Sequence, residues 1–199
     1  MSMPFQQSLC FNEAQRGIFI ALGANRPYRR HTLFENLHHA LQLLSQREIS
    51  ILSCSRPWRT PAWPDPSQPP FLNAVARIDW AGEDPANLMQ ILHEVETVCG
   101  RVRSVRNAPR TLDLDLIDFK TRVQAPKTAH GLSLPHPRAN DRAFVLLPLR
   151  EIAPHWRCPV SGAFIDTLIS RLSWNDRKGC RPAGGVLHAA THRLKRGAT

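Results

Sequence analysis

Leu112, Leu114 and Leu116 alternate with Asp113 and Asp115 within the stretch Gly100 to Phe119, GRVRSVRNAPRTLDLDLIDF. Period two is the signature of a strand with one apolar and one polar face, so the leucines face a core and both carboxylates point the same way. At about 3.3 Å rise per residue their Cα atoms stand roughly 6.6 Å apart. Like charges at that spacing repel by about 2.5 kcal/mol at an effective dielectric near 20. The fold must therefore bring positive charge to the pair. Four arginines, Arg101, Arg103, Arg106 and Arg110, precede it directly, and two arrangements follow: a structural network of Arg and Asp, or a hard cation with the arginines left for other anions. Mg²⁺ suits the second, because it is held by one or two carboxylates and completes its octahedron with waters and phosphate oxygens. Arginine suits those phosphates, since its planar fork donates two parallel hydrogen bonds.

The rest of the chain supplies the elements around that strand. Ile18 to Leu22 is a continuous apolar run that stops at Gly23, as a buried central strand does. Thr32 with Glu35 reads as a capping box, and Leu33, Leu37, Ala40, Leu41 and Leu44 follow at helical spacing, which predicts a helix over His31 to Leu44. Ile49 to Trp58 reads as a second strand. Six prolines between Arg56 and Pro70 exclude helix and central strand there, and loops of this length are characteristically lids or binding loops. Phe71 to Trp80 alternates as a third strand, with Leu72, Ala74, Ala76 and Ile78 on one face and Phe71 and Asn73 on the other. An aromatic plate beside an amide can stack on and hydrogen-bond a flat heterocycle. Asp84-Pro85 starts a second helix whose stripe is Leu88, Ile91, Leu92, Val95 and Cys99, ending at Gly100; His93 and Glu96 fall off the stripe, near the arginines. A short strand is expected at Leu132 to Leu134, and helices around Leu146 to Ile152 and Ala163 to Leu172.

This order is the βαββαβ of a ferredoxin-like α+β sandwich with additional short C-terminal strands and helices: two helices on one face of an antiparallel sheet, the other face left for loops and ligand. Residues 1–16 are expected to be a flexible lead, 17–175 the domain, and 176–199 a basic, disordered tail. The formal net charge of +10 favours anionic partners, but six basic residues against one acidic residue from Asp176 onward account for half of it. Five scattered cysteines include no C-x-x-C pair, which indicates neither zinc nor a disulfide framework and suits a reducing compartment. No leader-like h-region and no run long enough to span a membrane occurs, so the cytoplasm is expected.

Arg106-Asn107-Ala108-Pro109-Arg110-Thr111-Leu112-Asp113-Leu114-Asp115 closely resembles the signature of the 6-hydroxymethyl-7,8-dihydropterin pyrophosphokinase family. Leu22-Gly23-Ala24-Asn25, Arg59-Thr60-Pro61, Phe71-Leu72-Asn73-Ala74, Leu134-Pro135-His136-Pro137-Arg138 and Arg142-x-Phe144 resemble its other motifs, in order, from about Ile18 to Ser173. The resemblance implies transfer of the β,γ-diphosphate of ATP to the hydroxymethyl oxygen of the pterin, releasing AMP, in folate biosynthesis. It implies two Mg²⁺ ions on Asp113 and Asp115, a phosphate grip by Arg101 and Arg110 with Arg103 and Arg142 assisting, and Glu96, Ser133 and His136 beside the nucleotide. The pterin would lie between Phe71 and Phe144, read by Asn73, with Thr60 and Pro61 lining its pocket. By the same resemblance the expected partners are ATP and hydroxymethyl dihydropterin; the chain is expected to be a monomer. Three departures stand out: Asn107 replaces a tryptophan, His93 a glutamine, and Gly131 a basic residue.

Two other functions compete. Asp-x-Asp also holds metal and nucleotide sugar in other transferases, and an open ferredoxin-like sheet with basic surroundings is an RNA-recognition layout. The latter needs paired aromatics where this strand carries Asp113 and Asp115. Any RNA affinity is therefore expected in 176–199.

Overall fold

The computed structural model describes residues 16–62, 65–102, 108–126, 128 and 131–187. Arg103, Arg106 and Asn107, named above, lie outside them, as do the first fifteen residues and the last twelve. The core elements are β1 (Ile18–Ala24), α1 (Leu33–Ser45), β2 (Ser50–Cys54), β3 (Trp58–Thr60), β4 (Phe71–Asp79), α2 (Pro85–Val98) and β5 (Asp113–Phe119). β1 lies between β4 and β5, and β2 and β3 pair with successive halves of β4, all antiparallel. This is the ferredoxin-like arrangement expected from the element order.

Local chemistry accounts for the helix starts. Thr32 N–H donates to Glu35 Oε2 at 2.7 Å and Glu35 N–H to Thr32 Oγ1 at 3.3 Å, so the capping box forms and α1 begins one residue later. Asp84 accepts from Ala86 N–H at 2.9 Å, with Pro85 at the first helical position of α2. The leucine face of β5 joins Ile20, Leu22, Ala74 and Ala76 against Leu37, Leu41, Leu88 and Leu92 in the main core. Each fully buried leucine or isoleucine among them contributes about 1.5–3 kcal/mol.

Four expectations need correction. The strand expected over Ile49 to Trp58 is split, because Pro57 has no N–H to donate and Ser55 Oγ takes the Val75 N–H at 3.1 Å in place of a backbone partner. The strand at Leu132 to Leu134 is a single bridge to Gln124 that ends at Pro135. Most consequentially, the second sheet face is left open at one end only. The chain continues through α3 (Ala143–Ile152) and α4 (Ile165–Arg171), and Phe19, Val75 and Ile117 pack beneath Val145, Leu146, Leu149, Trp156 and Ile165 in a second core. Buried in that core, Asp118 accepts from Trp156 Nε1 at 2.8 Å and Thr121 N–H at 2.9 Å, and burial pushes its carboxyl up to about 6. Beyond α4, where a disordered tail was expected from Asp176, lie α5 (Trp174–Gly179) and the short edge strand β6 (Arg181–Pro182) paired with β3.

Candidate active site

The second face changes character along its length. In register across β4, β1 and β5, Asn73 lies opposite Gly23 and Gly23 opposite Asp113; the next row is Val75, Ala21, Asp115. Directly opposed residues share a face, so Asn73 and Asp113 stand on the same side, two strand spacings or roughly 10 Å apart. Gly23 has no room for a side chain between them: a Cβ there would lie 2.7 Å from Asn73 Oδ1 and 3.9 Å from Asp113 Cβ. One step further, Val75 and Ile117 belong to the second core. The face is thus packed by α3 at one end and polar at the other.

Asp113 is gripped by arginine. Arg110 Nη1 donates to its Oδ2 at 2.6 Å, and Arg101 Nη1 donates both to Asp113 Oδ1 and to Glu96 Oε1. Glu96 is only 2% exposed, and its Oε1 also accepts the Leu114 N–H of β5 at 2.8 Å. The reading of Glu96 as lying off the buried stripe is therefore corrected: it joins α2 to β5 and holds Arg101 over the acidic strand. Asp115 is less well compensated, with Arg142 Nη1 at 3.7 Å. Burial, and then the charge of Asp113, raise its pKa, with His136 and Arg142 acting in the opposite direction. The repulsion inferred from the alternating strand is therefore answered unevenly, by two guanidinium groups on Asp113 and a more distant one on Asp115.

His136 reaches this end because its N–H donates to the Ile117 carbonyl of edge strand β5 at 2.9 Å. The Arg138 N–H donates to His136 Nδ1 at 3.2 Å, which leaves Nε2 as the protonated nitrogen of the neutral ring. Burial lowers the histidine's pKa against the pull of Asp115. Together with Ser133, Asp115, Met89 and Gln90, His136 lines an open cleft of about 540 Å³, large enough for a nucleotide. His93 and Gly131, two of the departures noted above, line it too.

The expected heterocycle side assembles around β3 and β4. Asn73 Nδ2 donates to Thr60 Oγ1 at 2.7 Å, both residues being buried. Two cations now rest on the aromatics: the Arg110 guanidinium is 5.5 Å from the Phe71 ring centroid and that of Arg142 is 5.3 Å from Phe144. Pro61 lies in a separate cleft of about 320 Å³ with Thr60, Pro66 and Gln68.

The model of the family 7,8-dihydro-6-hydroxymethylpterin-pyrophosphokinase (HPPK) matches residues 19–154. The chain belongs to this family. The 2-amino-4-hydroxy-6-hydroxymethyldihydropteridine pyrophosphokinase of Synechocystis sp. is 36% identical over 163 residues, 81% of this chain and 79% of that protein. The protein of the same name from Methylorubrum extorquens is 35% identical over 136 residues, covering 68% of this chain and 82% of its own length. Among solved structures, Plasmodium falciparum HPPK-DHPS wild type with pteroate superposes with a TM-score of 0.62 at 12% identity, over 78% of this chain. That likeness is one of fold, and this chain spans 44% of the Plasmodium chain.

One residue that sequence reasoning missed ties the two halves of this site together. Asn25, 1% exposed, accepts the Arg110 N–H at 2.8 Å and donates to the Pro69 carbonyl at 3.1 Å, so it pins the arginine segment to the end of the proline-rich loop. The N–H groups of Asn25 and Arg26 return bonds to the Arg110 carbonyl at 3.0 and 3.1 Å. In the sequence it stood only as the last residue of the Leu22-Gly23-Ala24-Asn25 motif, with no partner indicated.

Proposed function

We propose that the polar end of this sheet face transfers the β,γ-diphosphate of ATP to the hydroxymethyl oxygen of 6-hydroxymethyl-7,8-dihydropterin and releases AMP, with ATP in the His136 cleft and the pterin between Phe71 and Phe144. As a member of its family the chain is a pyrophosphokinase of folate biosynthesis with ATP as co-substrate. The observation that carries the site assignment is the row Asn73, Gly23, Asp113, which sets an amide able to read a pterin edge beside a carboxylate able to hold a cation.

The donor set fits magnesium. Asp113 and Asp115 share one face, and Asp115 is the less compensated of the two. Bound there, two Mg²⁺ ions would draw charge from the triphosphate and the entering oxygen. The chain's own residues do the rest. Arg101 and Arg110 exchange their bonds to Asp113 for phosphate oxygens, Arg103 and Arg142 joining them, and Glu96 keeps Arg101 aimed as it moves. His136 Nε2–H donates to the nucleotide, with Ser133 beside it. Release of Arg110 and Arg142 from the Phe71 and Phe144 rings frees both aromatic faces for the pterin, so substrate entry and phosphate grip are coupled. Thr60 holds the Asn73 amide in its reading orientation, and Pro61 lines the same side. We read the protein as a cytoplasmic monomer whose affinity for RNA, if it has any, resides in 176–199. Among the described residues no helix is long and apolar enough to cross a membrane.

The test is AMP release from ATP and the hydroxymethyl dihydropterin in Mg²⁺, with Asp113→Ala and Asp115→Ala alongside. Activity in the parent and near-complete loss in both variants is expected; retained activity in either removes the metal assignment.

A further inference from the structure

The match to the family stops at residue 154, yet the chain beyond it comes back to the pterin side of the sheet. Ser173 caps α5, its Oγ accepting the Asp176 N–H at 3.1 Å. At the end of that helix Gly179 sits so close to the proline-rich loop that a Cβ would lie 3.3 Å from Pro61 Cδ and Cγ. β6 then pairs with β3, Arg181 opposite Arg59 and Pro182 opposite Trp58, and the Ala183 N–H donates to the Pro57 carbonyl at 2.8 Å. Past Gly185, whose φ of +101° and closeness to Phe34 both demand glycine, Leu187 is buried in the main core. The segment is therefore anchored at both ends across a three-residue strand.

That strand carries the residue that orients Asn73. Thr60 closes β3, and its Oγ1 accepts the Asn73 Nδ2 proton, which turns Asn73 Oδ1 toward Gly23. A strand of three residues on a sheet edge is weakly held by one neighbour. We propose that residues 174–187 form a strap that fixes β3 and so, through Thr60, sets the orientation of the Asn73 amide and with it the affinity for the pterin. The proposal rests on the reading of Asn73 as the pterin contact. The strap is held by backbone bonds and by Leu187, because Arg59 and Arg181 are opposed like charges that weaken the pairing. Its strength can therefore be changed in either direction, at Ala183 and at Arg181; because Arg181 shares the cleft of Thr60 and Pro61, amide exchange at Thr60 reports the strap apart from any effect in that cleft.

The test uses the full-length chain, with KM for each substrate and amide exchange at Thr60 as readouts. Ala183→Pro removes the donor to Pro57, and Arg181→Glu replaces repulsion by attraction to Arg59. Expected for Ala183→Pro is a pterin KM raised about fivefold with the ATP KM unchanged, a change of about 1 kcal/mol, and faster exchange at Thr60. Arg181→Glu should lower the pterin KM and slow the exchange. Asn73→Ala separates the two levels of the argument. If it raises the pterin KM while both strap variants leave it unchanged, the strap is refuted and the site stands; if it leaves the pterin KM unchanged, the pterin reading fails and the strap's role goes with it. Equal changes in both KM values for Ala183→Pro would mark a general loss of structure and also overturn the proposal.

Discussion

Replacing Asp115 by asparagine should stabilise the metal-free protein while abolishing its activity. Asp113 and Asp115 are two residues apart on one face of β5, and their mutual repulsion is about 2.5 kcal/mol at an effective dielectric near 20. Asp113 has already been compensated by Arg101 and Arg110, whereas Asp115 has Arg142 at 3.7 Å. The Asp115 side chain is 35% exposed, so solvent and the Arg142 charge reduce the net penalty to about 1 kcal/mol. In a protein of this size that corresponds to a Tm higher by about 2–4 °C. Asparagine keeps the shape and one acceptor for Arg142 but contributes no charge to a cation, so kcat should fall by about 10³. Thermal melts in EDTA and AMP release in Mg²⁺ measure the two effects separately. A lower Tm for Asp115→Asn in EDTA would mean that the carboxylate is a structural partner of Arg142, and the argument for a cation site would be lost.

Gly23→Ala places a methyl 2.7 Å from Asn73 Oδ1 and should turn that amide away from Thr60; the pterin KM is expected to rise about tenfold, or 1.4 kcal/mol, with little change for ATP, and equal shifts for both substrates would contradict this. Burial pushes the Asp118 carboxyl up to about 6, against 3.8 for the free carboxyl, so the folded state holds this proton more tightly than the unfolded chain does. Its contribution is therefore fully present below about pH 4 and falls by roughly 3 kcal/mol as pH rises past about 6. Urea melts across that window should show the slope in the parent and lose it in Asp118→Asn; an unchanged slope would mean that Asp118 is not the group responsible.

Much of the site was legible because its signals are local. The alternation at 112–116 fixed which side chains share a face, the Thr32–Glu35 pair marked the start of α1, and the ordered motifs from Leu22 to Phe144 carried the family resemblance. Glu96 shows where local signals give out. It follows Leu92 by four residues and Leu88 by eight, so its helical position is on the buried side, but a carboxylate there makes sense only when Arg101 and the Leu114 N–H meet it. Asn25 is a similar case, since its partners Arg110 and Pro69 are 85 and 44 residues away.

By itself the sequence determined the order of the main strands and helices from β1 to β5, the leucine face of β5 and the common direction of Asp113 and Asp115. Only the tertiary structure decided that α3 and α4 cover one end of the second sheet face, that Arg101 and Arg110 hold Asp113 while Asp115 is left to Arg142, and that the segment after α4 returns to β3. Periodicity reports which side of an element is apolar, because that is set by neighbours two to four residues away. What comes to lie against that side is set by contacts between distant parts of the chain, and no local spacing encodes them.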